Sequence, residues 1–401
     1  MTGSGTEEDP YIIEDVDDLQ DMSNDLDAYY ELGNDIDASA TSGWNGGAGF
    51  LPVGEVLDPF IGELDGKGYA INWLYINRPT TDYVALFPAL NDGFNQAIIN
   101  NLHFNVPNIT GQDEVGVLVA AGTFGTMTDC GVIGGGVHGR DKVGGFKSSG
   151  GYCTRCSSVG VSVYVENGNG GRHTAGGFAA HLIQSNNNCY ARNKLVAGGY
   201  YTEIGGFAVS MSASGGMNYG YSASTYAGAT PYRAYGFCKK FLTRPRYSYW
   251  NGSIWPEIGS DQGGIEKTTA EMKIEGTYEG LNFETIWDIN ESINAGYPFF
   301  LDRPPSGLPS GYIWVEGTKL HYTDENFYGR FVEGADLGGT HGQGYYWVEG
   351  VYLHYIDASG DERRITGIAS GATGATPGHI WIEGTYLHYI DANGDERYAP
   401  L

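Results

Sequence analysis

A chain of 401 residues with 64 glycines, 30 tyrosines and only 22 Lys and Arg can hold two or more domains. Its composition is that of an extracellular or virion β-protein more than of a cytosolic enzyme. A net charge of −26 argues against double-stranded DNA as a partner, because phosphate neutralisation needs a large basic footprint.

The charge is uneven. Residues 1–66 hold 17 Asp and Glu and no Lys or Arg. Residues 138–246 hold 12 Lys and Arg against Asp141, Glu166 and Glu203, whereas residues 247–401 hold 23 acids against 8 bases. A basic face in the middle of the chain is therefore expected either to meet an anionic glycan or an acidic neighbouring subunit, or to stand solvated with no partner. Five cysteines give no disulfide framework, and the CxxC at Cys153 and Cys156 lacks the second pair of a zinc site. No metal and no cofactor are expected. The opening MTGSGTEEDPY has neither the basic nor the apolar region of a secretory signal. No apolar run approaches the roughly 18 residues of a membrane helix, so no membrane insertion is expected. If Met1 is the native start, this combination fits a protein released by cell lysis, as virion proteins are.

In chain order, residues 11–13 read as a strand, and residues 15–24 as a short acidic helix with Val16, Leu19 and Met22 on one face. Residues 28–36 read as a further strand. Together, residues 1–48 form a capping segment over the open end of the β-structure C-terminal to them. Asp65-Gly66 and Gly68 mark a turn, and residues 69–76 alternate as a strand. Residues 86–90 and 98–104 come next as rungs.

From about residue 84 to 237 a glycine-centred phrase recurs: EVGVLVA at Glu114, KVGGFKS at Lys142, TAGGFAA at Thr174, EIGGFAV at Glu203 and RAYGFCK at Arg233. Gly116, Gly144, Gly176 and Gly205 are spaced by 28, 32 and 29 residues. A period near 30, built of short β-rich runs, is the mark of a stacked coil. The Val/Ile-Gly-Gly-Phe phrases should form one inward ladder, and Cys130, Cys156 and Cys189 another. The glycines should supply positive-φ turns. Residues 167–171 and 212–216 should leave the coil as loops, the usual place for function. Arg172, His173, His181, Arg192 and Lys194 lie near them in sequence and are candidate glycan or subunit contacts, with no acidic partner placed nearby.

These phrases resemble the GLUG-motif repeats of bacterial adhesins, surface proteins and phage virion proteins. Residues 5–37 and 60–79 are similar to the usual entry to such a coil, and residues 267–300 to its exit. The resemblance implies an all-β fold, a right-handed parallel β-helix, here spanning residues 49–302 with its C-terminal cap. It implies no reaction. Val117 in place of a second glycine and the degenerate RAYGF depart from the pattern.

Residues 245–264 hold Tyr247, Tyr249, Trp250 and Trp255, expected to pack the end of the coil more than to bind sugar. Thr268 and Glu271 form a capping box. Trp287, Ile289, Pro298, Phe299 and Phe300 should seal the last rung. Residues 303–310 are a Pro-rich linker. Three repeats complete the chain, at 311–343, 344–377 and 378–401, each reading as small antiparallel β-hairpins. Trp314, Trp347 and Trp381 recur in them, with His321, His354 and His388 and with Tyr322, Tyr355 and Tyr389. They resemble repeats of phage tail and fibre proteins, and the aromatics suggest a sugar platform or a hairpin core. Asp391, Asn393 and Asp395 read as a hairpin turn rather than a calcium loop.

An enzyme on such a coil would need clustered acids. Among Asp129, Asp141, Glu166 and Glu203 none forms a pair at rung spacing, and no Ser-His-Asp set, HExxH or phosphate loop appears. The expected function is non-enzymatic: a virion fibre, spike or decoration protein that meets the host surface. The alternatives are a GLUG-type cell-surface adhesin or a polysaccharide-degrading β-helix enzyme. Expected partners are other virion proteins, a host glycan or receptor, and further copies of the chain, with a trimer as the guess.

Overall fold

The computed structural model describes residues 1–302, apart from 92, 123, 168–170, 213–215, 240–244, 256–261 and 291–293. Of the rest it describes the backbone of the strands between 313 and 400. The chain divides into two compact units, Met1–Pro305 and Ser306–Leu401.

The first unit is a parallel β-solenoid. One run of paired rungs leads from Tyr11–Ile13 through Tyr29–Leu32, Glu63–Asp65, Ile98–Asn100, Thr126–Thr128 and Tyr152–Thr154 to Ser185–Asn187 and Gly216–Ser222. Residues 11–37 thus already contribute rungs to the long sheet. A second sheet stacks Asp113–Val115, Asp141–Gly144, His173–Gly176, Thr202–Gly205 and Arg233–Tyr235 in parallel. A third pairs Ala179–Leu182 with Ala208–Met211. The helix Val16–Asp21 is capped by Asp15, whose carboxylate accepts from Asp18 N at 2.9 Å, and it buries Val16 and Leu19.

Corners divide what reads as continuous strand. Residues 69–76 form two strands, Ala70–Asn72 and Tyr75–Asn77, because Trp73 adopts φ +59°. Residues 28–36 likewise hold Tyr29–Leu32 and the start of Ile36–Asp37. One corner is left-handed on rung after rung: Asn101, Asp129, Arg155, Asn188, Tyr219 and Tyr247 have φ between +46° and +60°. These are non-glycine residues, so the positive-φ turn was not where the repeat glycines were needed. Gly144, Gly176 and Gly205 serve close approach instead. A Cβ on each would stand 1.8–1.9 Å from the carbonyl oxygen of Lys147, Ala179 or Ala208.

Phe146, Phe178, Phe207 and Phe237 stack with centroids 4.7, 4.8 and 4.9 Å apart and planes within 12°. That is the rung spacing itself. Cys130, Cys156 and Cys189 are buried and free, and the register of the next residues along, Gly131, Ser157 and Tyr190, stacks them.

The segment from Met272 to Phe300 does not close the end of the coil. It folds back over the outer face of the long sheet, where Met272, Tyr278, Leu281, Trp287, Tyr297 and Phe300 cluster on Tyr190, Tyr221 and Tyr249. The tyrosine ladder on that face is apolar surface that water would otherwise wet, so covering it is favourable. Trp287 and Phe300 are therefore buried by a face rather than by the last rung. Thr268 and Glu271 form the expected capping box (Thr268 N to Glu271 Oε2 2.7 Å, Glu271 N to Thr268 Oγ1 3.2 Å).

In the second unit each repeat forms antiparallel strands. Ile313–Glu316, Lys319–Thr323 and Gly329–Glu333 make a three-stranded sheet. The other two sheets have four strands, because Ala335–Asp336 pairs with Glu362–Thr366 and Ile368–Ala372 pairs with Asp395–Pro400. Ala335–Asp336 and Ile368–Ala372 thus supply edge strands. The register sets Trp314, Trp347 and Trp381 opposite His321, His354 and His388. Tyr322, Tyr355 and Tyr389 lie opposite Ile313, Tyr346 and Ile380. The side chains of these candidate aromatics, the linker 303–310, and Asp391 and Asn393 lie outside the described residues.

Candidate functional site: a polar strip along one edge of the coil

One edge of the second sheet collects polar side chains from six successive rungs. Asp82, Asp113, Asp141, His173, Thr202 and Tyr232 occupy equivalent places. The next column holds Glu114, Lys142, Thr174, Glu203 and Arg233. Five rung steps span roughly 24 Å.

The strip is knitted by pairs between rungs. Arg140 forks onto the Asp113 carboxylate, with Nε to Oδ1 at 2.7 Å. Lys142 pairs with Glu114, whose other oxygen accepts from Ser148 Oγ at 2.9 Å and Ser149 Oγ at 3.2 Å. Asp141 Oδ1 accepts from Thr174 N at 2.8 Å and Thr174 Oγ1 at 3.1 Å. Arg172 Nη1 donates to Glu203 Oε1 at 3.0 Å and Nη2 to the Tyr232 hydroxyl at 3.3 Å.

At its upper end the strip becomes aromatic. The Arg172 guanidinium lies 4.4 Å from the Tyr232 ring centroid, and Arg233 stands 5.3 Å from the same ring. Tyr200 meets Tyr201 and Tyr232 edge-on at 5.6 and 5.8 Å. Tyr200 and Tyr201 are 57% and 49% exposed, so their rings are open to a ligand. At the lower end Arg78, Thr81, Asp82 and Tyr83 line a cavity of about 380 Å³ with Leu51, Pro52 and Leu57.

The five candidates of the coil do not converge. Arg172 and His173 lie on the strip, and His181 lies beside it. Arg192 and Lys194 belong to the long sheet. Arg192 Nε donates to Asn294 Oδ1 at 2.9 Å and so holds down the covering segment. The expected lack of acidic partners is also corrected: Glu203 pairs with Arg172 from 31 residues away, the adjacent rung. The same geometry offsets part of the basic face. Arg140, Lys142, Arg155 and Arg172 are each paired to a carboxylate of a neighbouring rung. An acid outside the set Asp129, Asp141, Glu166 and Glu203 does stand at rung spacing, since Asp113 is in register with Asp141. Asp113 lies just ahead of the rungs that carry Asp129, Asp141, Glu166 and Glu203.

A Ser–His contact also forms, where the sequence showed no such set. His181 Nδ1 shares a hydrogen bond with Ser210 Oγ, and Nε2 lies 3.4 Å from Thr174 Oγ1, which reaches Asp141. Burial holds the His181 pKa below the ordinary histidine value, so it is neutral at pH 7. The neighbouring N–H groups of His181, Ala208 and Ser212 are all bound to carbonyls, which leaves them unable to hold an oxyanion. Sequence reading missed Tyr200, Tyr201, Tyr232, Arg233 and Glu203. The signal was present: YY at 200 and PYR at 231 fall one and two periods after Arg172.

Three of the four aromatics of residues 245–264 are packed. Tyr249, Trp250 and Trp255 are buried, while Tyr247 is half-exposed and stacks on Tyr219 at 5.4 Å. Among the described residues no group of three or more metal-binding side chains comes together, and no helix is long and apolar enough to cross a membrane.

No family model matches the chain. Among curated proteins, "Halomucin" of Haloquadratum walsbyi is 34% identical over 155 residues, 36% of this chain and 2% of that protein. A "Putative Gly-rich membrane protein" of Evansella cellulosilytica is 31% identical over 109 residues, 27% of this chain and 12% of that protein. The chain spans only a small part of the length of either relative.

Proposed function

We propose that the chain is an extracellular attachment protein of adhesin type, whose solenoid binds a linear, partly anionic saccharide along the polar strip. The carrying observation is the open cluster of Tyr200, Tyr201 and Tyr232 with Arg172, Arg233 and Glu203 on adjacent rungs. Aromatic faces pack on the apolar side of sugar rings, and a guanidinium beside a carboxylate supplies both donors and acceptors. The relatives' names, a halomucin and a Gly-rich membrane protein, are of the cell-surface type. The GLUG-like phrases agree with this reading.

The proposed role is binding without turnover. Arg140 engages the Asp113 carboxylate and Thr174 engages Asp141 Oδ1, which suits carboxylates that hold the strip together rather than act as acid or base. A second reading, a virion fibre or spike assembled with other virion proteins, is favoured by the three antiparallel repeats of the second unit. Immunogold labelling of cells and of particles separates the two.

The test of the binding reading is a glycan array probed with the full chain. Tyr201→Ala and Tyr232→Ala should each weaken the best ligand about tenfold or more, as expected of anchoring aromatics. Lys194→Ala, on the other sheet, should leave it unchanged. Retained binding in both tyrosine variants would sink the assignment.

A further inference from the structure

Two polar side chains are fully buried in ladders that are otherwise apolar. Lys147 replaces the apolar residues at Val119 and Ala179, its neighbours one rung below and above. Asn186 stands in register with Cys153, which succeeds Ile99 and Met127 in the same column. Both have zero exposure. They face each other: Lys147 Nζ lies 3.1 Å from Asn186 Oδ1. A second Nζ hydrogen goes to the Gly151 carbonyl at 2.8 Å. Asn186 Nδ2 donates to the Gln184 carbonyl at 2.7 Å, which fixes the plane of the carboxamide. The Cys153 thiol borders Nζ as well.

A buried ammonium is costly unless a carboxylate offsets it. Among the described residues none bonds to Lys147; its other contact is the Phe178 ring at 5.9 Å. Nζ, 3.1 Å from the oxygen of a fixed carboxamide in a dry core, stands beside an acyl group at a high effective concentration.

We infer that Lys147 and Asn186 form an intramolecular isopeptide bond that ties two adjacent rungs. The Nζ–Cγ bond forms and the Cγ–Nδ2 bond breaks. One Nζ hydrogen passes to Nδ2, which leaves as ammonia. No oxidant or cofactor enters the balance. The product is a neutral amide in place of a buried amine. It closes a loop between residues 39 apart in sequence, and such a closure restrains the unfolded chain as a disulfide does.

The experiment is the intact mass of the purified full chain, together with a peptide map. The expected mass is lower than that of the sequence by one ammonia, with a branched peptide joining Lys147 to Asn186. Lys147→Met, which extends the apolar ladder, should restore the full mass. Asn45-Gly46 and Asn251-Gly252 can also lose ammonia by succinimide formation, and the branched peptide distinguishes the two. Unmodified Lys147 and Asn186 peptides from protein kept folded for days at raised temperature would overturn the inference. So would a lowered mass whose peptide map holds no branched peptide between Lys147 and Asn186.

Discussion

At the scale of the residue, the repeat is governed by how near one rung's backbone comes to the next. Gly177 is the clearest case. A Cβ there would lie 2.1 Å from the Gly206 carbonyl oxygen and 2.6 Å from Ser224 Oγ. The carbonyl cannot retreat without breaking its rung, so Gly177→Ala should cost about 3 kcal/mol, the upper range for overpacking. Gly43→Ala meets nothing within 4 Å and should shift stability by less than ~0.5 kcal/mol. Urea midpoints of the two variants check the contrast; equal midpoints would refute it. The glycines were legible as a motif, but their reason was not. Close approach and positive φ leave the same letter in the sequence, and only the packed backbone separates them.

At the scale of the element, stability rests on ladders. Phe178 is sandwiched between Phe146 and Phe207, with stacked rings on both sides and no exposure. Phe178→Ala should lose about 3–5 kcal/mol, the cost of a large buried cavity. Tyr247→Ala, which removes a half-exposed stack on Tyr219, should lose about 0.5–1.5 kcal/mol. Thermal or urea unfolding would measure both, and an equal loss would mean that the inner ladder is not the core. The period that announces the ladder was read directly from the phrases. The fate of the 272–300 segment was not. Its aromatics promise a cap, yet what they cover is decided by Tyr190, Tyr221 and Tyr249, which share an outer face only once the rungs are stacked.

At the scale of the molecule, charge and pH behaviour derive from pairing across rungs. His138 and His181 are both held below the ordinary histidine value, in each case chiefly by burial, with Glu166 opposing the shift at His138. The unfolded chain therefore binds protons that the folded chain refuses. Stability from these groups is complete above the unfolded value of 6.5 and falls as pH drops from there toward the lowered native values. Urea midpoints at pH 7.5 should exceed those at pH 5.5, and His181→Asn should flatten the difference. A midpoint that rises on acidification would contradict the burial account.

The sequence by itself determined the all-β class, the period near 30, the inward phenylalanine and cysteine ladders, and the strand pattern of the three C-terminal repeats. Each of these is written in local alternation and recurrence, which survive without knowledge of contacts. Tertiary structure alone decided that Arg172 meets Glu203 and Tyr232, that Asp113 stands against Asp141, that Arg192 belongs to Asn294, and that Lys147 faces Asn186. In a solenoid the neighbours of a side chain lie one period away, and their exact offset shifts with every loop that lengthens a rung. Composition counted along the chain therefore showed a basic middle, where stacking produces a strip of paired charges with an open aromatic end.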